Sequence, residues 1–290
     1  MFKGSFVALL TPFKGGKVDE KGFQDFVDWH VKEGTHGLVP VGTTGESPTL
    51  SHDEHHRVVD LCIEAAAGRV PVVAGAGSNS TEEAISLTRH AKQAGASAAL
   101  VVTPYYNKPS QEGLYQHYKA IADAVDLPII IYNIPPRCVI DMSVETMARL
   151  AEHPNIVGVK DATNDLARPL KTRVAIGAKF CQLSGEDATI AAYLAQGGHG
   201  CISVTANVAP KLCSQLHEAW QKRDLDTFAS IRDRLLPLHD AMFCEPSPAP
   251  VKYAASLIGR ATPEVRLPLV SASPAAQEKV RAAMGSAGLI

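Results

Sequence analysis

Residues 96–133 read ASAALVVTPYYNKPSQEGLYQHYKAIADAVDLPIIIYN, and the order of residue types in this stretch decides the fold. An unbroken apolar run, Ala98–Thr103, leads through a loop into a longer amphipathic segment, and a second apolar run, Ile129–Tyr132, follows. Short apolar runs without in–out alternation are what parallel strands buried on both faces look like. The longer segment between them reads as a crossover helix, so the stretch predicts one β-α-β unit. The same alternation continues in both directions. Further strands are expected at Phe6–Leu10, Gly37–Val41, Val70–Ala74, Ile156–Lys160, Phe180–Ser184 and Cys201–Val204, eight in all. Eight such units in series predict an α/β chain with a (β/α)8 TIM barrel, while counting alone leaves a doubly wound sheet open.

Helix signals occupy the intervals. Ser51-x-x-Glu54 and Ser80-x-x-Glu83 have capping-box spacing, and Gly34, Gly68, Gly95 and Gly197–Gly198 stand where a helix must end. After about residue 223 the strand signal stops. Three helical stretches remain, Leu225–Phe243, Pro250–Ile258 and Pro274–Met284, with Gly285 as the expected stop of the last. The organisation expected is therefore a barrel over 1–223 and a C-terminal α-helical extension over 224–290.

Composition narrows the function. The 290 residues are 46% hydrophobic and 20% charged, with a formal net charge of -2, which fits a packed core. There is no basic block to hold nucleic acid or a polybasic membrane surface. The first residues, MFKGSFVALLTPF, read as a strand and not as a secretory leader, and no run reaches the ~20 apolar residues of a membrane helix. The expected location is cytoplasmic and the expected partners are small molecules. Six scattered cysteines form no C-x-x-C pair, and the histidines His52, His55 and His56 lack a third ligand in sequence, so no metal is expected.

In a barrel, chemistry belongs at the C-terminal ends of the strands. Those ends carry GTTGES, TPYYN, YNIPPR, VGVKDA and SGED. Lys160 is the one lysine within a strand run. Desolvation there would favour a neutral amine, the nucleophile of a Schiff-base enzyme, although an ion pair with Asp161 or Glu186 would explain it as well. Tyr132 ends the preceding strand and could shuttle protons to the amine, or simply fill the core. Gly42-Thr43-Thr44-Gly45 offers hydroxyls and backbone N–H groups suited to a small carboxylate, and also suits an ordinary βα turn. Arg137 follows two stiffening prolines and could clamp a carboxylate, or face solvent.

Taken together in order and spacing, GTTGE, TPYYN, YNIPPR, the VGVK lysine, SGED, GGHGCISVTANV, EPSPAPVKYA and RLPL resemble the dihydrodipicolinate synthase family of pyruvate aldolases, essentially end to end. The resemblance implies a Schiff base between Lys160 and pyruvate, with Tyr132 as general acid and base. Thr43 would relay protons to Tyr106 supplied by a neighbouring subunit. Thr44 and Ile202 would contact pyruvate, with Gly185 in the same substrate site, and Arg137 would bind the carboxylate of L-aspartate 4-semialdehyde. The implied reaction gives 4-hydroxy-tetrahydrodipicolinate, the first committed step of diaminopimelate and lysine biosynthesis, without a cofactor, in a homotetramer built as a dimer of dimers. Ser47, Pro48, His52, His55, Asn79, Glu83 and Tyr105 match family positions that bind L-lysine as a feedback inhibitor.

Relatives that cleave N-acetylneuraminate typically have a GSTGE-like turn and lack the arginine, unlike GTTGE and Arg137 here. The family often continues Thr-Gly after that arginine, whereas this chain has Cys138-Val139. The alternatives are a related lyase acting on N-acetylneuraminate or a keto-deoxy sugar acid, and a non-catalytic lysine-binding barrel. A phosphate-binding barrel is disfavoured, because Gly197-Gly198-His199-Gly200 precedes a strand and so lies on the face away from chemistry.

Overall fold

A computed structural model of the chain describes residues 2–290. The elements in order are β1 (Gly4–Ala8), β2 (Phe13–Lys14), β3 (Lys17–Val18), α1 (Glu20–Lys32), β4 (Gly37–Val39), α2 (His52–Ala66), β5 (Val73–Gly75), α3 (Thr81–Ala94) and β6 (Ala98–Val102). They continue as α4 (Gln111–Ala124), β7 (Ile129–Asn133), α5 (Pro135–Cys138), α6 (Val144–Leu150), β8 (Ile156–Asp161), α7 (Arg168–Ile176), β9 (Cys181–Ser184), α8 (Ile190–Ala195) and β10 (Gly200–Ser203). Four helices close the chain: α9 (Pro210–Lys222), α10 (Leu225–Met242), α11 (Ala249–Leu257) and α12 (Pro274–Ser286).

Eight strands form one sheet in the order β4-β1-β10-β9-β8-β7-β6-β5. The paired strands run parallel, with helices in the connections. This is the (β/α)8 class with a C-terminal helical extension. By contacts the chain divides into two compact units, one comprising Val72–Ile202 with residues 2–3, the other Gly4–Pro71 with Ser203–Ile290.

In the unit built on Val72–Ile202, strands β5 to β9 are almost wholly buried, which is why their sequences are continuous apolar runs. The β7–β8 register pairs Tyr132 with Lys160 and Asn133 with Asp161, after a shift between Ile129 and Ile130. Partners in register point to the same face, so the tyrosine and lysine share one side of the sheet.

In the other unit β1 pairs with β4, and the Leu38 amide donates to the Pro71 carbonyl at 3.0 Å. Strand β4 ends at Val39 and not at Val41. Pro40 cannot donate to a ladder, and Val41 turns into the left-handed region at φ 50°. Likewise β5 starts only at Val73, beyond Pro71. Phe13–Val18 forms a hairpin that the apolar pattern did not suggest, turned on Gly15 and Gly16 at φ 60° and 78°.

The capping box at Ser51 and Glu54 is complete. At α3 only half of it forms: the Ser80 hydroxyl accepts from the Glu83 amide, while the Glu83 carboxylate meets the Ser78 hydroxyl instead. Helix α12 runs through Gly285 to Ser286, and the left-handed stop is Gly288 at φ 66°. Met284 and Ala287 are buried, and this packing carries the helix past a glycine that costs it only about 1 kcal/mol. Among the described residues no helix is long and apolar enough to cross a membrane.

Candidate active site

The site begins with the register pair. Lys160 and Tyr132 are each 6% exposed, and the lysine ammonium lies 4.1 Å from the centroid of the Tyr132 ring. Among the described residues Lys160 forms no ion pair with Asp161 or Glu186. Asp161 turns elsewhere: its Oδ1 accepts from the Thr163 amide at 2.8 Å and hydroxyl at 2.7 Å. Burial raises the Asp161 carboxyl from its ordinary value against those hydrogen bonds. Glu186 is raised too, first by burial and then by Asp187, with the Lys160 charge pulling the other way. The amine thus stands by an aromatic face, near carboxyls that burial keeps from ionising easily.

Gly185, just after β9, makes room for this arrangement. A Cβ there would stand 2.7 Å from the Ala162 Cβ and 3.2 Å from the Lys160 Cε. Ile202 is fully buried in β10. Arg137 sits in the single turn of α5, exposed and without an ion pair among the described residues. Two residues on, Val139 holds φ 69° and ψ -41° and is 71% exposed. That is left-handed backbone, costly for a β-branched side chain and natural for glycine. Cys138-Val139 therefore places a strained residue at the end of this turn.

Around this pair lies a polar network that the sequence reading missed. Arg168, the first residue of α7, is buried; its Nη1 donates to Asp141 Oδ2 at 2.9 Å and its Nη2 to the Met142 carbonyl. Its Nε lies 3.8 Å from Asp161 Oδ2. Asn133 Nδ2 donates to Asp141 Oδ1 at 2.7 Å, and the Met142 amide donates to Asn133 Oδ1 at 3.1 Å. Asn133 was visible within YNIPPR, but an arginine at a helix start reads as a surface residue.

The residues expected to bind lysine are distributed over both units. Asn79, Glu83 and Tyr105 belong to the unit with Lys160, where Asn107 Nδ2 donates to the Asn79 carbonyl at 2.9 Å. Neighbouring Tyr106 is 90% exposed at φ 71°. Ser47, Pro48, His52 and His55 belong to the other unit, on a 3-10 turn over Ser47–Thr49 and on α2, with His55 buried and His52 exposed.

That second unit also holds the Thr43–Thr44 turn. Thr44 is buried and Thr43 half-buried. The turn closes through the Gly45 amide to the Gly42 carbonyl at 3.1 Å and the Glu46 amide to the Thr43 carbonyl at 3.1 Å. The Thr11 hydroxyl holds the Gly45 carbonyl at 2.7 Å. Beneath it is an ion pair between Glu46 and Lys252, both almost wholly buried, which the sequence motifs contained without revealing.

The chain is similar to known proteins along its whole length. The chain is 69% identical over 290 residues to the 4-hydroxy-tetrahydrodipicolinate synthase of Rhodospirillum centenum, each covering all of the other. A solved dihydrodipicolinate synthase from Acinetobacter baumannii, complexed with pyruvate, superposes with a TM-score of 0.97 at 47% identity, covering 100% of both chains. Another, from Cyanidioschyzon merolae with lysine bound, gives 0.96 at 38% identity, covering 100% of this chain and 99% of that one. The model of the dihydrodipicolinate synthetase family matches residues 1–287, and the chain belongs to that family.

Proposed function

We propose that the chain is a lyase that condenses pyruvate with L-aspartate 4-semialdehyde through a Schiff base at Lys160, giving 4-hydroxy-tetrahydrodipicolinate for diaminopimelate and lysine biosynthesis. The observation that carries this reading is the buried Lys160 amine, unpaired by Asp161 and Glu186 and set over the Tyr132 ring. Such an amine attacks the C2 carbonyl of pyruvate. The carbinolamine loses water, which requires a proton at the departing oxygen, and Tyr132 is the group at hand to deliver it. Loss of a C3 proton turns the imine into an enamine, whose C3 adds to the aldehyde carbon of the second substrate.

Thr44 and the backbone at Ile202 hold the pyruvate carboxylate in this reading, and Gly185 keeps space beside the Lys160 side chain. Thr43 relays protons toward Tyr106 of a neighbouring subunit. A phenol that is 90% exposed on its own chain is well suited to complete another's site. Arg137 takes the semialdehyde carboxylate with its guanidinium fork. Ser47, Pro48, His52, His55, Asn79, Glu83 and Tyr105 form the site for L-lysine as inhibitor, in line with the lysine-bound relative. The working form is a cytoplasmic homotetramer, a dimer of dimers. The exposed apolar side chains of Leu170 and Val174 on α7 favour a covered surface there. Residues 1–223 form the catalytic barrel and 224–290 its helical extension.

The test is to incubate the protein with pyruvate, reduce with borohydride and map the adduct by mass spectrometry. Label on Lys160 is expected, and folded protein left unlabelled at Lys160 overturns the proposal. Turnover with aspartate semialdehyde, and none with N-acetylneuraminate, is the expected outcome of a coupled assay.

A further inference from the structure

We infer that Arg168, acting through Asp141, is a positioning residue that sets the loop bearing Arg137 and so governs binding of the second substrate. The inference rests on the reading of Arg137 as the semialdehyde carboxylate site. Between the end of β7 and Val139 the backbone makes local turns: the Arg137 and Cys138 amides donate to the Ile134 carbonyl, and the Val139 amide donates to the Pro135 carbonyl. Cys138 anchors those turns from within, buried beside Thr103, while Val139 after it is exposed and holds strained backbone.

The exposed, outgoing arm of the loop is fixed at its base. Asp141 uses both carboxylate oxygens, Oδ1 for Asn133 at 2.7 Å and Oδ2 for Arg168 at 2.9 Å. Arg168 spends a second fork nitrogen on the Met142 carbonyl, and its Nε faces Asp161 at 3.8 Å. Asn133 follows Tyr132 in β7, and Asp161 follows Lys160 in β8. Asp141 therefore ties the outgoing end of the Arg137 loop to β7, and the guanidinium that holds Asp141 faces the carboxylate next to Lys160 in β8. A planar fork suits three simultaneous partners, and an ammonium does not. Gln111 supports the same point from α4, its Nε2 donating to the Asp141 carbonyl at 2.8 Å, so weakening the carboxylate tether shifts the loop without releasing it.

The test compares three single variants of the full-length protein: Asp141→Asn, Arg168→Lys and Arg137→Ala. Asp141→Asn keeps an oxygen for Asn133 and removes the charge facing Arg168. In both network variants the KM for semialdehyde should rise about ten- to a hundredfold, the scale on which a displacement of ~1 Å is felt. The KM for pyruvate and the rate of borohydride trapping at Lys160 should stay within about twofold, and the Asp141→Asn, Arg168→Lys double variant should be little worse than either single. A role in folding alone would depress both substrates' parameters together, and that result overturns the inference. So does an unchanged semialdehyde KM in folded Asp141→Asn, which decides the matter if Arg168→Lys does not fold. If Arg137→Ala raises the semialdehyde KM while the network variants do not, this inference alone fails. If Arg137→Ala leaves it unchanged, the reading of Arg137 fails and takes this one with it.

Discussion

Replacing Lys252 with methionine tests how the Thr43–Thr44 turn is held. The Lys252 side chain is fully buried, with its ammonium against the Glu46 carboxylate, 2.7 Å from the Glu264 carbonyl and 3.9 Å from the centre of the Phe13 ring. The Glu46 carboxylate also accepts from the Arg266 amide at 3.0 Å. Burial pushes the lysine down from 10.5 to about 8, against the pull of Glu46. At about 1.4 kcal/mol per pH unit, keeping it charged at neutral pH costs about 3 kcal/mol. A buried pair with so large a desolvation cost adds little net stability, but breaking it strands the other charge. Lys252→Met should therefore lose about 3–5 kcal/mol at pH 7, while Glu46→Gln with Lys252→Met should recover most of it.

The pH dependence supplies an independent check. The folded value lies below the unfolded one, so between about 8 and 10.5 the unfolded chain holds a proton that the folded chain lacks. The contribution of this group to stability thus rises with pH, by about 1 kcal/mol between pH 7 and pH 9. Buried thiols such as Cys181, pushed up to about 12, act in the opposite direction. The quantity to measure is therefore the gap between wild type and Lys252→Met in urea denaturation at fixed protomer concentration, which should widen by that amount. A single variant as stable as wild type, a double variant as unstable as the single, or a gap that does not widen would refute the reasoning.

Gly185→Ala should lower turnover sharply and destabilise by about 1–3 kcal/mol, because its Cβ must displace Ala162 or the Lys160 side chain; steady-state kinetics and urea melts check this, and unchanged kinetics would show that the space is not needed. Val139→Gly should raise stability by about 1 kcal/mol, the strain released exceeding the added chain entropy, and a loss of stability by thermal or urea unfolding would contradict the strained turn. His30 is wholly buried and its imidazole is pushed down to about 3, first by burial and then by the Arg260 charge. The unfolded chain takes up that proton first as pH falls, so between pH 7 and pH 5 the wild type should lose about 2 kcal/mol that His30→Leu does not lose. Parallel stability–pH curves for the two proteins would count against it.

The eight strands were legible because burial on both faces leaves no room for a polar alternation, and a run such as Pro128–Tyr132, too short and too β-branched for a helix, fits little but a buried strand. Their ends were less so, since Pro40 and Pro71 trim strands that hydrophobicity alone would extend. The hairpin at Phe13–Val18 had a signal in Gly15-Gly16, but two-residue strands carry no periodicity to draw attention to it. The same contrast holds in the site. Lys160 and Tyr132 stand out because a charge and a phenol end apolar runs, and adjacent parallel strands then place them in register. Glu46 and Lys252 stood in GTTGE and PAPVK, where each reads as a surface charge, and Arg168 and Asp141 likewise. What makes these residues informative is that each is held by a partner distant in the chain, and such mutual dependence leaves no trace in local pattern. A sequence read locally can therefore find the group that reacts more readily than the groups that aim it.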